Sequence, residues 1–309
     1  MTKFWFVGSG SFAAECLSRL SRGIRFGLVV TGTPSVAGRG LKSRPTEVDV
    51  WCHDAGIDIH RTECLRNDAI LKNLLEEDTP DLLLVVDFGQ KVLPPFLNLP
   101  RFGCYNIHPS LLPRYRGAAP VQRSILAGDS ESGVTLFRLV ESMDARPIVA
   151  QETIPIPGDT CAGEFASICA NKGSELFLNG VKSIIDGTCE FREQNSESVS
   201  YAAKIHKDES RVVWSEPSDT IHNRVRAFNP EPGAFFFLQG KRVKVWRTRK
   251  SEGMGSPGTL LDIDREGFPV VAAGRGGVTL ISVQPEGKRT MTASDWIRGI
   301  RLNKGAVLE

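Results

Sequence analysis

Three short stretches of the chain carry side chains whose type and spacing could do chemistry. In Asn106-Ile107-His108-Pro109 an amide and an imidazole stand two residues apart. On a strand that spacing puts both on one face, and Pro109, which cannot donate to a ladder, ends the pairing. Two such donors side by side suit an oxygen that gains negative charge during acyl transfer. An isolated Asn-x-His pair, however, more often reads as a turn amide beside a hydrogen-bonded strand-end histidine. The second stretch, Met143-Asp144-Ala145-Arg146, follows the strand Gly133–Leu139. Asp144 could orient the imidazole and favour its protonated form, or accept protons from an amine nucleophile, directly or through water. An aspartate in such a loop also commonly caps a turn. The third, Gly8-Ser9-Gly10-Ser11-Phe12-Ala13, is a loose dinucleotide fingerprint. That reading needs an acid about 20 residues on, at the end of the second strand. Val30-Thr31-Gly32-Thr33 supplies none, so a Rossmann-like fold is expected and NAD is not.

The elements around these residues divide in two. In the first half, short apolar runs (Phe4–Val7, Phe26–Val30, Leu82–Val86, Cys104–His108) alternate with amphipathic stretches such as Ser11–Leu20. This predicts right-handed βαβ units and a mainly parallel sheet covered on both faces. Helices are expected at Ala118–Ala127 and Cys161–Ile185 around a strand at Val134–Leu139. Residues 189–205 turn polar and read as a linker crossing the surface. A helix at Ser218–Phe228 follows. Five short strands then come at Ala234–Leu238, Arg242–Arg247, Gly258–Ile263, Phe268–Ala272 and Val278–Val283, with Gly/Asp-rich turns; they suggest an OB-like β-barrel. The fold class is therefore α/β, with a domain over residues 1–188, the linker at 189–205 and the OB-like domain over 206–309.

Composition fits a two-domain globular chain: 309 residues, 41% apolar and 24% charged. No apolar run is long enough to span a membrane. The N-terminus reads as a buried strand instead of a signal or transit peptide. Seven scattered cysteines, without a C-x-x-C or a Cys/His cluster, point to a reducing cytoplasm with no metal site. Residues 206–309 hold 17 Lys/Arg against 12 Asp/Glu, a net of +5, while the rest of the chain nets −3. Such an imbalance fits either a polyanionic partner or an ordinary solvated surface.

Taken together, the motifs closely resemble the formyltransferases that use 10-formyltetrahydrofolate. The family's Asn-x-His strand end, Ser-Leu-Leu-Pro and loop Asp after a Gly-Val-Thr strand are matched by Asn106/His108, Ser110–Pro113 and Gly133-Val134-Thr135…Asp144. Within the family the resemblance is to members that formylate a charged initiator tRNA. It rests on Arg114–Arg123, Ala37-Gly38-Arg39-Gly40-Leu41-Lys42, Tyr201–Ile205, Arg226–Pro230 and Val243–Trp246, and so runs nearly the whole chain. It implies Asn106, His108 and Asp144 as catalytic residues. It also implies a folate co-substrate held by Phe88, Gly89, Gln90, Ser110, Leu111, Leu112 and Pro113, and a monomer needing no metal. Arg39 and Lys42 become candidates for the acceptor stem. Arg242, Lys244, Arg247, Arg249 and Lys250 become candidates for a basic face that meets phosphates. The alternatives are a formyltransferase of amino sugar nucleotides and a non-catalytic tRNA-binding relative. This chain departs from the family in three places: Arg146 where Gly is usual, Thr33-Pro34-Ser35-Val36 before Ala-Gly-Arg, and Asp87-Phe88-Gly89 where Ala-Tyr-Gly is common.

Overall fold

A computed structural model describes residues 2–37, 42–140 and 147–309, with the side chains of residues 36, 37 and 42 left undescribed. The first two apolar runs form β1 (Phe4–Gly8) and β2 (Phe26–Gly32), joined through α1 (Ser11–Leu20). A short hairpin, β3 (Ser35–Ala37) and β4 (Lys42–Arg44), precedes α2 (Glu47–Ala55), β5 (Ile59–Thr62) and α3 (Ala69–Glu77). Next come β6 (Leu82–Val86), β7 (Cys104–His108), β8 (Arg116–Gly117), α4 (Pro120–Ala127), β9 (Glu131–Leu139) and β10 (Ile148–Pro155). The long α5 spans Ala162–Asp186, one residue displaced at each end from its predicted range.

Seven strands make one sheet in the order β10-β9-β7-β6-β1-β2-β5. The pairings β5–β2–β1–β6–β7 are all parallel, and β9 runs antiparallel to β7. Every residue of β1 and of β6 is buried, which is why neither shows polar alternation: helices cover both faces. α1 contributes Ala13, Cys16, Leu17 and Leu20 to that cover. α5 approaches so closely that a Cβ on Gly173 would overlap Ile107 of β7 and meet Val134 of β9. A side chain there would lift the helix off the strand that carries Asn106 and His108.

Two compact units emerge from the backbone contacts. One comprises Met1–Ala118, Ser132–Ile154 and Ala166–Tyr201; the other comprises Ala119–Glu131, Pro155–Phe165 and Ala202–Glu309. The polar stretch after α5 is tied to the first unit. Arg192 exchanges main-chain hydrogen bonds with Ile148 at 2.8 and 2.9 Å, and Gln194 accepts from the Arg116 guanidinium.

After β11 (Tyr201–Ala202), the second unit contains α6 (Ser218–Ala227) and then the five expected strands. These are β12 (Ala234–Leu238), β13 (Lys241–Ser251), β14 (Leu260–Ile263), β15 (Pro269–Ala272) and β16 (Gly277–Pro285). They form an antiparallel sheet in the order β12-β13-β16-β15-β14, with β17 (Met291–Thr292) beside β16 and α7 (Ala293–Ile300) following. Its core gathers Trp214, Phe236, Val243, Val245, Leu280, Val283 and Trp296. Among the described residues no helix is long and apolar enough to cross a membrane.

Candidate active site

The chain places Asn106 and His108 at the carboxyl end of β7, on one face, with buried Ile107 between them pointing the other way. In an open α/β sheet the crevice for ligands lies at this edge. Asn106 is half-buried, and among the described residues its side-chain amide has no hydrogen-bond partner. Its N–H groups can therefore be offered to a ligand.

Held by a main-chain acceptor, His108 has a defined ring orientation. Its Nε2 lies 2.9 Å from the carbonyl oxygen of Tyr115. A carbonyl can only accept, so Nε2 carries the proton. Tyr115 presents that oxygen from a left-handed backbone conformation, φ +57°. Its own N–H donates to Ser200 Oγ at 2.9 Å, while Arg116 N donates to Ser200 O at 2.8 Å. Ser200 thus fastens the turn from outside.

The same turn is fastened from beneath by β9 and β10. Thr135 lies opposite His108 in the antiparallel ladder. Its hydroxyl donates to Ser110 O at 2.6 Å and lies 3.1 Å from the Leu112 N–H that donates to it. Gln151 Nε2 donates to Leu112 O and to Thr135 Oγ1 at 2.8 and 2.9 Å. Of the residues expected around a folate, Ser110 is fully buried and spends its hydroxyl on Arg114 O at 2.8 Å. Leu112 and Pro113 also point inward, leaving Leu111 half-exposed. Gln90 spans a neighbouring loop, accepting from Leu65 N at 2.8 Å and donating to Glu63 O at 3.1 Å. Phe88 is half-buried against the core beneath, and Gly89 has open space where a Cβ would stand. Among the described residues the main-chain groups of Phe88–Gln90 make no backbone hydrogen bond. That leaves them able to pair with a heterocycle's donors and acceptors, as a pterin would require.

Sequence reasoning named Asn106, His108 and the Ser110–Pro113 turn but missed the residues that hold them: Tyr115, Thr135, Gln151 and Ser200. Thr135 was within the Gly-Val-Thr motif, and its position opposite His108 is the signal that could have found it. Asp144, Arg146 and Arg39 lie outside the described residues, and Lys42 is described only by its backbone on β4.

The five basic candidates on β13, Arg242, Lys244, Arg247, Arg249 and Lys250, are all engaged within the second unit. Arg242 and Lys244 do share a face, separated by buried Val243, as alternation requires. Arg242 stacks 3.8 Å from the centroid of Phe235. Lys244 donates to Pro232 O at 2.9 Å and sits 5.0 Å over Trp246; partial burial and the neighbouring Arg242 push its pKa down. The register shifts on either side of Arg247. Beyond that point Arg247 pairs with Glu164, Arg249 with Asp264 and Glu266 at 2.8 and 3.3 Å, and Lys250 with Asp219 at 2.8 Å. A cleft of about 320 Å³ in this unit is lined by His222, Arg226, Trp246, Arg247 and Arg249 among others. His222 gives Nε2–H to Gly158 O at 2.9 Å and accepts at Nδ1 from the Thr248 hydroxyl at 3.0 Å. Desolvation lowers its pKa below the ordinary 6.5. Among the described residues no cluster of His, Cys, Asp or Glu could hold a metal ion.

An amide and an imidazole side by side at the carboxyl end of a parallel strand on a Rossmann-like fold are donors of the kind an acyl-transfer oxyanion calls for. Residues 2–181 match the formyl transferase family, and residues 204–301 match the formyl transferase C-terminal domain. The chain belongs to the formyltransferase family. Among its relatives, the methionyl-tRNA formyltransferase of Methylobacterium nodulans is 37% identical over 311 residues, 99% of each chain. That of Thermus thermophilus is 38% identical over 303 residues, 98% of each. Among solved structures, HypX from Aquifex aeolicus is similar with a TM-score of 0.64 at 18% identity over 96% of this chain, which spans 48% of HypX, about half its length. WlaRD, a sugar 3N-formyl transferase, gives 0.61 at 20% identity, covering 94% of this chain and 99% of its own. A HypX structure holds tetrahydrofolic acid, and that of WlaRD was determined in the presence of dTDP and 5-N-formyl-THF. At these identities the likeness is one of fold.

Proposed function

We propose that the protein transfers the formyl group of 10-formyltetrahydrofolate to the α-amino group of methionine on charged initiator tRNA, the modification that prepares it for translation initiation. The observation that carries this reading is the juxtaposition of Asn106 and His108 at the β7 end, with His108 Nε2 committed to Tyr115 O. The relatives' shared activity over nearly the whole chain supports the choice of acceptor.

In the reaction, the free amine attacks the formyl carbon and the carbonyl oxygen becomes an oxyanion. Asn106 donates to that oxygen from its amide. Because Nε2–H is already given to a carbonyl, any donation by His108 to the oxyanion must come from Nδ1, which requires the doubly protonated ring. Asp144 is the group proposed to favour that imidazolium and, through water, to move the proton from the attacking to the leaving nitrogen. The folate is proposed to lie against Phe88–Gln90 and the Ser110–Pro113 turn, with its aminopyrimidine on main-chain groups. Arg39 and Lys42 are proposed for the acceptor stem, and the β13 cations for phosphates once released from their acidic partners.

The test is formyl transfer from 10-formyltetrahydrofolate to charged initiator tRNA, with uncharged tRNA and an amino sugar nucleotide as comparison acceptors. Transfer to the charged tRNA alone is the expected result; preference for the sugar nucleotide would overturn the assignment.

A further inference from the structure

Asp87 follows β6 at the point where the order of the sheet reverses. From β1 the chain steps to β2 and β5 on one side, then returns to β6 and β7 on the other. The crevice between β1 and β6 is therefore the topological switch point, where α/β sheets bind ligands. Asp87 adopts a left-handed conformation, φ +45°, and its carbonyl accepts from Ser9 N at 3.2 Å and Gly10 N at 3.5 Å. Its carboxyl lies directly on Gly10, where a Cβ would overlap Oδ2. The glycine thus makes room for this acid, and the acid leans toward β1, away from the β7 and β9 side that holds the Ser110–Pro113 turn.

Among the described residues the Asp87 carboxyl has neither a hydrogen bond nor an ion pair. Asp87 is exposed as a residue, while Gly10 crowds its carboxyl from one side. Desolvation, and after it the negative charge of Glu47, hold its pKa above the ordinary carboxylate value. An arriving cation would relieve both effects. Val85 stands opposite Asn106 in the parallel ladder, so Asp87, which follows β6, lies at the same carboxyl edge of the sheet as the end of β7. The acceptor's α-amino group, which is partly protonated at neutral pH, must come to this same edge to reach the formyl carbon.

We infer that the Asp87 carboxyl is the receptor for the protonated α-amino group of the acceptor in the β1–β6 crevice, and that it takes up the proton before the free amine attacks. The inference rests on the acceptor proposed above. It also gives the departure from the family's Ala at this position a function: the chain binds the amine itself as well as the RNA that carries it.

The experiment compares initiator tRNA charged with methionine against the same tRNA charged with the α-hydroxy analogue, in which the amine is replaced by a hydroxyl. Binding of each is measured at saturating 5-formyltetrahydrofolate. The wild-type enzyme is expected to prefer the amine by about ten- to a hundredfold, the range of a charge-assisted hydrogen bond. Asp87→Asn keeps the shape and tolerates positive φ; it is expected to lose that preference while binding 5-formyltetrahydrofolate unchanged. Equal binding of the two tRNAs by the wild type overturns the inference without any variant. So does an unaltered preference in Asp87→Asn, and so does a loss of folate affinity, which would move Asp87 into the pterin pocket. A wild-type enzyme that transfers no formyl group to charged initiator tRNA takes down the proposed acceptor, and this inference with it.

Discussion

His108 Nε2 donates to the main-chain carbonyl of Tyr115 at 2.9 Å, and Tyr115 reaches that position only through a left-handed backbone, φ +57°. A residue branched at Cβ is strained there by about 1–3 kcal/mol, whereas glycine is not. Tyr115→Val is therefore expected to lower kcat at least about tenfold through a misoriented imidazole. Tyr115→Gly should stay within a few-fold of wild type. Equal activity in the two variants would show that the carbonyl does not set the ring.

Removal of either donor at the β7 end should be felt in turnover more than in binding. Asn106→Ala and His108→Ala are each expected to reduce kcat by roughly 10²-fold or more, the usual cost of losing one oxyanion donor. Near-normal single-turnover rates with His108→Ala would remove the imidazole from the mechanism.

Thr135 tests the floor of the turn. Thr135→Val deletes one donor and one acceptor of the Ser110, Leu112 and Gln151 network. Groups left buried without partners cost about 1–3 kcal/mol. The expected result is a raised KM for the folate with little change in the KM for tRNA. If both KM values move together, the network supports the whole fold instead of the folate turn.

Much of this site was legible because strand chemistry is local. Alternation placed Asn106 and His108 on one face and Pro109 closed the strand, as found for β7. Unbroken apolar runs gave the buried parallel strands. What escaped depends on partners remote in sequence or on backbone angles. Nothing local marks Tyr115 as left-handed. The β13 cations read as a free basic row, yet Arg247 meets an acid 83 residues away and Lys250 one 31 residues away. Likewise α4 carries the same apolar pattern whichever core it joins. The contacts group it with the C-terminal unit, where Arg123 pairs with Glu209 at 2.6 Å.

A pH test follows from His222. Its folded pKa is depressed by desolvation, with Arg226 adding in the same sense. The unfolded chain therefore binds the extra proton first, and the stability this group supports is present above about pH 6.5 and lost as pH falls below it. Urea midpoints of the second unit should drop through that window, and His222→Gln should flatten the decline. An equal slope in the variant would assign the acid sensitivity elsewhere.

For the basic strand, salt dependence separates phosphate contacts from internal pairing. Each cation that meets a phosphate contributes about 0.7–0.9 to the slope of log K against log salt. Arg242→Ala and Lys244→Ala should each flatten the slope of tRNA binding by about that amount. Glu164→Gln, by releasing Arg247, should steepen it. Slopes unmoved by all three substitutions would confine these residues to the architecture of the antiparallel sheet.

Ser200 lies beyond the polar run that closes the α/β half, yet its hydroxyl and carbonyl hold the main chain of Tyr115 and Arg116, and through Tyr115 the imidazole of His108. The shortest gene fragment that encodes the whole candidate site therefore does not stop where α5 ends at Asp186. A polypeptide cut there would keep Asn106 and His108 and lose the latch that aims the imidazole. A fragment that keeps the imidazole's support has to carry the chain through residue 200, a later boundary than the last helix of the sheet sets.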